Sequence, residues 1–362
     1  MRIGIIGGGQ LARMLALAGY PLGLRFLILE PEAEACAGQV AELLQGTYED
    51  QEKLAQLADR VDVVTFDFEN VPAAAARFLA QRIAVFPPPM ALELAQDRLS
   101  EKTLCRELGI PVPPFAAVHS LADLQAAVRQ VGLPAVLKTR HLGYDGKGQQ
   151  RLRETADIEP AWQALGKVPL ILEGFIPFQQ EVSMLALRDR RGATAFYPLV
   201  ENRHQDGILR LSRAPCQDTE LEQQARTYTG RVLERLDYVG LLAIEFFVLD
   251  RGLLANEMAP RVHNSGHWTI EGAETSQFEN HLRAILNLPP GSTTARGYSA
   301  MLNFIGELPD RNAFLAIPGV HFHDYGKVAR AGRKLGHATL RLDDLDDLQA
   351  GLAKLLALVR MA

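Results

Sequence analysis

The sequence predicts an α/β unit followed by a larger α+β body, and three observations carry that expectation. In the first hundred residues short apolar strands alternate with helical stretches, the pattern of a parallel sheet with right-handed crossovers. The middle third is strand-rich. A chain of 362 residues, 48% hydrophobic and 22% charged, is long and apolar enough for two or three domains with sizeable cores. Composition also excludes function classes. With 38 basic against 43 acidic residues and a net charge of -5, the chain is not a general nucleic-acid binder. Cys36, Cys105 and Cys216 lie far apart and form no CxxC pair, so neither a disulfide framework nor a cysteine zinc site is expected, and a reducing cytoplasm is.

The elements follow in order. The apolar start is broken at once by Gly7-Gly8-Gly9-Gln10 and then Arg13, which reads as strand, turn and helix, not as a signal peptide. No run of about 18 uncharged apolar residues follows anywhere, so no membrane span is expected. Residues 3–6, 25–29 and 62–67 read as strands, 83–86 as strand-like, and 10–17, 50–60 and 73–82 as helices. Pro87-Pro88-Pro89 closes this unit, because proline cannot donate to a ladder. A helix over 92–108 runs into the extended Ile110-Pro111-Val112-Pro113-Pro114, then a helix over 121–131 and a strand over 135–139. Strands are predicted at 170–175, 181–187, 195–200 and 208–211, a helix at 220–236, and strands at 241–249 and 253–258. A strand at 300–305, a basic cluster and an amphipathic helix over 345–358 end the chain.

Three local patterns bear on chemistry. Gly7-x-Gly9-x-x-Ala12 follows a strand and opens a helix, with Glu30 ending the next strand. This is either a dinucleotide fingerprint or only a tight turn between strand and helix. Further on, Lys138 leads into His141-Leu142-Gly143-Tyr144-Asp145-Gly146-Lys147-Gly148-Gln149. Such a loop can wrap phosphate oxygens with its amides while Lys138 and Lys147 add charge; a plain hairpin with an Asp-Gly turn is the alternative. Third, a hairpin centred on Arg251 sets Glu245 and Glu257 face to face among apolar neighbours. Opposed like charges need neutralising, and a hard cation such as magnesium does so. Pairing each Glu with an arginine such as Arg261, or a one-residue register slip, would remove the need.

Taken together, Lys138, the loop from Gly143 to Gln149, Glu173-Gly174-Phe175-Ile176, Glu181 and the Glu245…Asn256-Glu257 pair resemble the ATP-grasp fold. More narrowly, residues 4–11, Phe68-Glu69-Asn70, the glycine loop and the run from Asn256 to His267 resemble the family of N5-carboxyaminoimidazole ribonucleotide synthases, ATP-dependent carboxylating ligases of purine synthesis. The similarity extends from residue 3 to about 340 in one motif order. It implies a Rossmann-like pre-ATP-grasp domain over 1–89, and an ATP-grasp domain over 90–290 with lobes at about 110–178 and 179–290. A small β-rich C-terminal domain over 291–362 completes the substrate site.

The resemblance also assigns roles. ATP lies between the two antiparallel sheets of the grasp, with Arg98 and Lys138 on its phosphates and Gly143, Tyr144, Asp145, Gly146, Lys147, Gly148 and Gln149 over them. Glu173, Gly174, Phe175 and Ile176 read adenine, Glu181 the ribose, and His204 and Asn256 complete the nucleotide shell. Glu245 and Glu257 hold one or two magnesium ions, Glu257 also closing on the nucleotide. Tyr144, Asp145, Lys147 and Arg261 are catalytic; the family often has arginine at position 147, and lysine keeps its charge without the bidentate fork. Aminoimidazole ribonucleotide is held by Gln10, Glu69, Asn264, Ser265, Lys327, Arg330, Arg333 and Lys334, the basic residues taking its 5′-phosphate. His263 and His267 belong to the substrate shell or the core, since the Asn264-Ser265-Gly266 between them reads as a loop and no HExxH exists. ATP converts bicarbonate to carboxyphosphate, which the exocyclic amine captures away from water. Small-molecule substrates, no nucleic acid, no membrane and a homodimer are implied. A formate-using transformylase, a non-catalytic nucleotide sensor and an NAD-dependent oxidoreductase are the competing readings.

Overall fold

A computed structural model describes residues 1–143 and 148–360. Its first unit runs β1 (Arg2–Ile6), α1 (Gln10–Gly19), β2 (Arg25–Glu30), β3 (Glu42–Gln45), α2 (Gln51–Ala58), β4 (Val63–Phe66) and α3 (Ala73–Ala80). The strands are parallel in the order β3-β2-β1-β4. Ile3, Ile5, Ile6, Val64 and Phe66 are all buried, as strands covered on both faces require. The strand-like stretch 83–86 shrinks to a single bridge between Val64 and Val85, because the prolines that follow supply no ladder donors.

The helix expected over 92–108 is two helices, α4 (Pro89–Gln96) and α5 (Arg98–Glu107), broken at an extended Asp97 with φ -120° and ψ 107°. The Asp97 carboxylate accepts from the Leu99 amide (3.1 Å) and the Ser100 hydroxyl (2.9 Å), so it caps a new helix instead of continuing the old one. Next come β5 (Phe115–Val118), α6 (Leu121–Val131), β6 (Ala135–Thr139), β7 (Gln149–Leu152), α7 (Ile158–Leu165) and β8 (Leu170–Gly174). These strands form an antiparallel sheet in the order β5-β8-β6-β7. Leu124, Val128 and Ile158 of the two helices bury against Leu137, Leu170 and Leu172 of the sheet.

The remaining strands are β9 (Gln180–Arg188), β10 (Thr194–Phe196), β11 (Val200–Gln205), β12 (Ile208–Ala214), then, after α8 (Thr219–Arg235), β13 (Gly240–Leu249) and β14 (Gly252–Ala259). Helices α9 (Thr269–Gly272) and α10 (Gln277–Ile285) precede β15 (Tyr298–Ile305), α11 (Arg311–Leu315), β16 (Val320–Asp324), β17 (Lys334–Leu342) and α12 (Leu345–Arg360). All nine strands join one antiparallel sheet, β14-β13-β9-β11-β12-β15-β17-β16, with β10 beside β9. The C-terminal strands thus extend the large sheet. The strand expected over 195–200 is split into the end of β10 and the start of β11, with Pro198 between them and no amide to offer. Helix α10 escaped the sequence reading, although Ser276-x-x-Glu279 is a capping signature, and Ser276 does accept from the Glu279 amide at 3.2 Å.

One core joins the first unit to the large sheet: Leu11 and Leu15 of α1 bury with Leu185, Leu187, Trp268 and Leu282. Within it, His281 Nδ1 accepts from the Leu241 amide (3.1 Å), which leaves Nε2 to donate to Thr65 Oγ1 on β4 (2.9 Å). No helix among the described residues is long and apolar enough to cross a membrane.

Candidate active site

The small antiparallel sheet and the large one share a cavity of about 710 Å³. From the small sheet come Lys138 on β6 and Glu173 on β8, joined by a 2.9 Å hydrogen bond. Lys102 of α5 approaches the same carboxylate at 3.9 Å and is only 2% exposed. Burial alone would push the Glu173 carboxyl up, but Lys102 and Lys138 outweigh it and hold it down to about 2. Lys138 lines the cavity, whereas Lys102 holds the same carboxylate from behind the wall. Lys102 was missed by the sequence reading, because a single lysine on an amphipathic helix looks like a solvated charge.

From the large sheet comes the β13–β14 hairpin. Leu249 pairs with Gly252 and Val248 with Leu253, so the turn is centred between Asp250 and Arg251, earlier than expected. That register alone would set Glu245 opposite Asn256. A bulge beside Phe246 takes up Asn256 as the extra residue, and Glu245 faces Glu257 after all. The opposed pair is therefore real, reached by another route. Burial, and then Glu257, push the Glu245 carboxyl up to about 7. Arg261 does not relieve the pair; it binds Glu69 through Nε and Nη2. Glu257 meets Arg98 instead, at 3.4 Å from Nη1, while Nη2 of Arg98 donates to the Gly143 carbonyl at 2.9 Å. His263 Nε2 and His204 Nε2 stand 3.6 and 4.0 Å from Glu245 Oε1. Burial and then Arg261 hold His263 well below its ordinary pKa, so it is neutral. His204 is raised despite its burial, since Glu181 at 2.9 Å favours the charged ring.

Two carboxylates and an amide make a hard, oxygen-rich donor set that fits magnesium. Among the described residues no group of three or more His, Cys, Asp or Glu side chains could hold a metal unaided, so such an ion needs oxygens from bound phosphate or water as well.

A second cavity, of about 520 Å³, opens over the first unit and shares Glu69, Asn70, Arg261, His263, Asn264 and Lys334 with the first. Gln10, Lys327 and Arg333 also line it, and Lys327 donates to Gln10 Oε1. The glycine turn above β1 leaves no seat for a pyrophosphate: the Gly8 amide donates to Glu30 (2.6 Å) and the Gly9 amide to Asp67 (2.7 Å). Those carboxylates occupy the N-terminus of α1, which overturns the dinucleotide reading. A third depression of about 790 Å³ lies at the amino ends of β1 and β2, opposite the strand ends where α/β sheets bind ligands, and it gathers no reactive set.

Residues 1–96 match the ribonucleotide synthetase preATP-grasp domain family, 103–278 the ATP-grasp domain family, and 299–351 the phosphoribosylaminoimidazole carboxylase C-terminal domain family. The N5-carboxyaminoimidazole ribonucleotide synthase of Pseudomonas aeruginosa is 58% identical over 359 residues, which span 99% of each chain. The chain belongs to the N5-carboxyaminoimidazole ribonucleotide synthase family. The crystal structure of the Thermus thermophilus synthetase superposes with a TM-score of 0.95 at 57% identity, covering 98% of each chain. The Aspergillus clavatus synthase in complex with ADP and 5-aminoimidazole ribonucleotide does so at 0.93 and 31% identity, covering 100% of this chain and 99% of that one.

Set beside the synthase family's motifs, most of the expected residues meet at these two cavities. Arg98, Lys138, Gly143, Gln149, Glu173, Gly174, Phe175, Ile176, Glu181, His204, Glu245, Asn256 and Glu257 line the first. Gly148 sits at the root of β7 with φ +71°, its carbonyl accepting from Thr139 at 2.9 Å. Tyr144, Asp145, Gly146 and Lys147 lie outside the described residues. Three expectations need correcting. Ser265 is fully buried behind the wall, bonded to Ser183 at 2.7 Å. Arg330 is exposed and lines neither cavity. Of the adenine-reading segment, the Gly174 and Phe175 amides already donate to the Pro114 and Pro134 carbonyls, so those two donors are spent.

Proposed function

We propose that this chain carboxylates 5-aminoimidazole ribonucleotide, using ATP and bicarbonate, to give N5-carboxyaminoimidazole ribonucleotide, ADP and phosphate. The observation that carries the reading is the Glu245–Glu257 pair beside Lys138 and Arg98 in a cavity that continues into a second, cation-lined one. The family's motif order across three units supports it, taken as 1–89, 90–290 (lobes about 110–178 and 179–290) and 291–362.

ATP lies between the two antiparallel sheets in this reading, its phosphates against Arg98 and Lys138. Glu245, Asn256 and Glu257 would hold magnesium, which supplies charge neutralisation to the transferring phosphoryl group. Bicarbonate oxygen attacks the γ-phosphorus, the bond to ADP breaks, and carboxyphosphate results. Lys138 and Arg98 offset the charge that builds on the equatorial oxygens. Glu69 accepts from the exocyclic amine of the ribonucleotide, and Arg261 fixes that carboxylate in its charged form. Against burial, Arg261 holds Glu69 below its ordinary pKa. Lys327, Arg333 and Lys334 take the 5′-phosphate; burial lowers the Lys327 pKa, a cost that an anion there would offset. The amine attacks the carboxyl carbon, the bond to phosphate breaks, and the proton shed by the nitrogen leaves with the phosphate. Tyr144, Asp145 and Lys147 are assigned to this step from the motif alone.

The test is ADP release with magnesium-ATP and bicarbonate, with and without the ribonucleotide. Stimulation by the ribonucleotide is expected, and Glu257→Gln should lower it by about 100-fold, the upper end of what losing even an outer partner of a metal ligand costs. No effect of the ribonucleotide would make the acceptor wrong. A homodimer is proposed as well, with Leu17, Tyr20 and Leu22, exposed on the first unit, as its apolar patch. Sedimentation of a monomer at micromolar concentration would remove it.

A further inference from the structure

The helix break at Asp97 does more than end α4. On one side, Gln96 Nε2 donates to the carbonyls of Glu69 (2.7 Å) and Val71 (2.5 Å), the segment whose Glu69 lines both cavities. On the other, the Gln96 carbonyl accepts from His141 Nδ1 (2.9 Å). The Asp97 carboxylate, nearly buried, takes a two-pronged bond from Arg140, with Nε to Oδ1 at 2.9 Å. The Arg98 amide donates to the Arg140 carbonyl (3.1 Å), and its guanidinium to the Gly143 carbonyl (2.9 Å). Arg140, His141 and Gly143 lead from Lys138 into the glycine loop, so three consecutive residues grip its root. An unbroken helix could not do this, because the Gln96 carbonyl would accept from the Ser100 amide instead.

We propose that the Gln96–Asp97 junction is a positioning link between the ribonucleotide site and the root of the phosphate loop. A ribonucleotide seated against Glu69 fixes segment 69–71, and the junction carries that placement to residues 140–143. Nucleotide cleavage thereby answers to the acceptor. The link rests on the carboxylation reading above. Both side chains act through other residues, Glu69 on one side and the loop root on the other.

The test uses the full chain, Gln96→Leu, Asp97→Asn and the double variant. ADP release is measured with and without the ribonucleotide, together with carboxylated product formed per ADP. Each single variant is expected to lose ribonucleotide stimulation by about tenfold, within the usual range of coupling between sites, and to form less product per ADP. The double variant should be no worse than the more affected single one, because both cut the same link. A merely structural role would lower ADP release equally with and without the ribonucleotide and leave product per ADP unchanged. That result, or losses that multiply in the double variant, overturns the link. Gln96→Glu keeps the size and removes the donor, so it must also lose stimulation; full stimulation there overturns the link even if Gln96→Leu fails to fold. A parent without any stimulation removes the carboxylation reading and the link together. A stimulated parent beside an unchanged Gln96→Leu removes the link alone.

Discussion

Asp67 sits 4% exposed beneath the first glycine turn, accepting from the Gly9 amide at 2.7 Å and the Ala12 amide at 3.5 Å. Burial pushes its carboxyl up to about 7 against those amides, from an ordinary value of 3.8. In an unfolded chain the same group ionises near 4, so between about pH 4 and 7 the folded protein holds a proton that the unfolded chain has lost. Stability contributed by Asp67 is complete below that window and is lost as pH rises through it. At about 1.4 kcal/mol per unit over roughly three units, the loss is on the order of 4 kcal/mol. The denaturant midpoint of the parent should therefore fall relative to that of Asp67→Asn as pH rises across this range; parallel curves would contradict the assignment. The sequence places this residue only at the end of the strand read over 62–67 and gives no sign of the amides it binds. Glu257 was legible because its partner lies across a short turn, whereas the partners of Asp67 and Lys102 lie far away in sequence.

Helix α5 braces the bulged strand from behind. Lys102 donates to the Ala255 and Asn256 carbonyls, and buried Glu101 accepts from the Met258 amide. The segment that offers Asn256 and Glu257 to the cavity is thus held on both sides of the bulge. Replacing Lys102 with methionine keeps the bulk and removes the charge, leaving Glu173 with Lys138 alone. A loss of roughly 3–5 kcal/mol in unfolding free energy is expected for removing one partner from a buried ion network, with a higher KM for ATP. Unchanged stability and KM would show that the brace carries no load. At this scale periodicity served well for long, strongly patterned elements such as α6, α8 and β13. It failed where a side chain competes with the backbone, as at Asp97, where proline removes a donor, as at Pro198, and for short polar strands such as β7. The hairpin is instructive, because a misplaced turn centre and an unforeseen bulge cancelled to give the right pair.

Over the whole molecule, two antiparallel sheets enclose one cavity and the first unit encloses another, and the residues between them belong to both. That continuity suits a reaction whose intermediate must pass from nucleotide to acceptor without meeting water. Motif order made the architecture legible, but the joining of β15, β16 and β17 to the large sheet was not, since strand order depends on contacts far apart in sequence. In the proposed reaction ATP activates bicarbonate itself. With bicarbonate labelled in its oxygens by a heavy isotope, one labelled oxygen per turnover should appear in the released phosphate, and the other two in the carboxylate of the product. Product formed with unlabelled phosphate would contradict the account, because the bond from bicarbonate oxygen to the γ-phosphorus would never have formed.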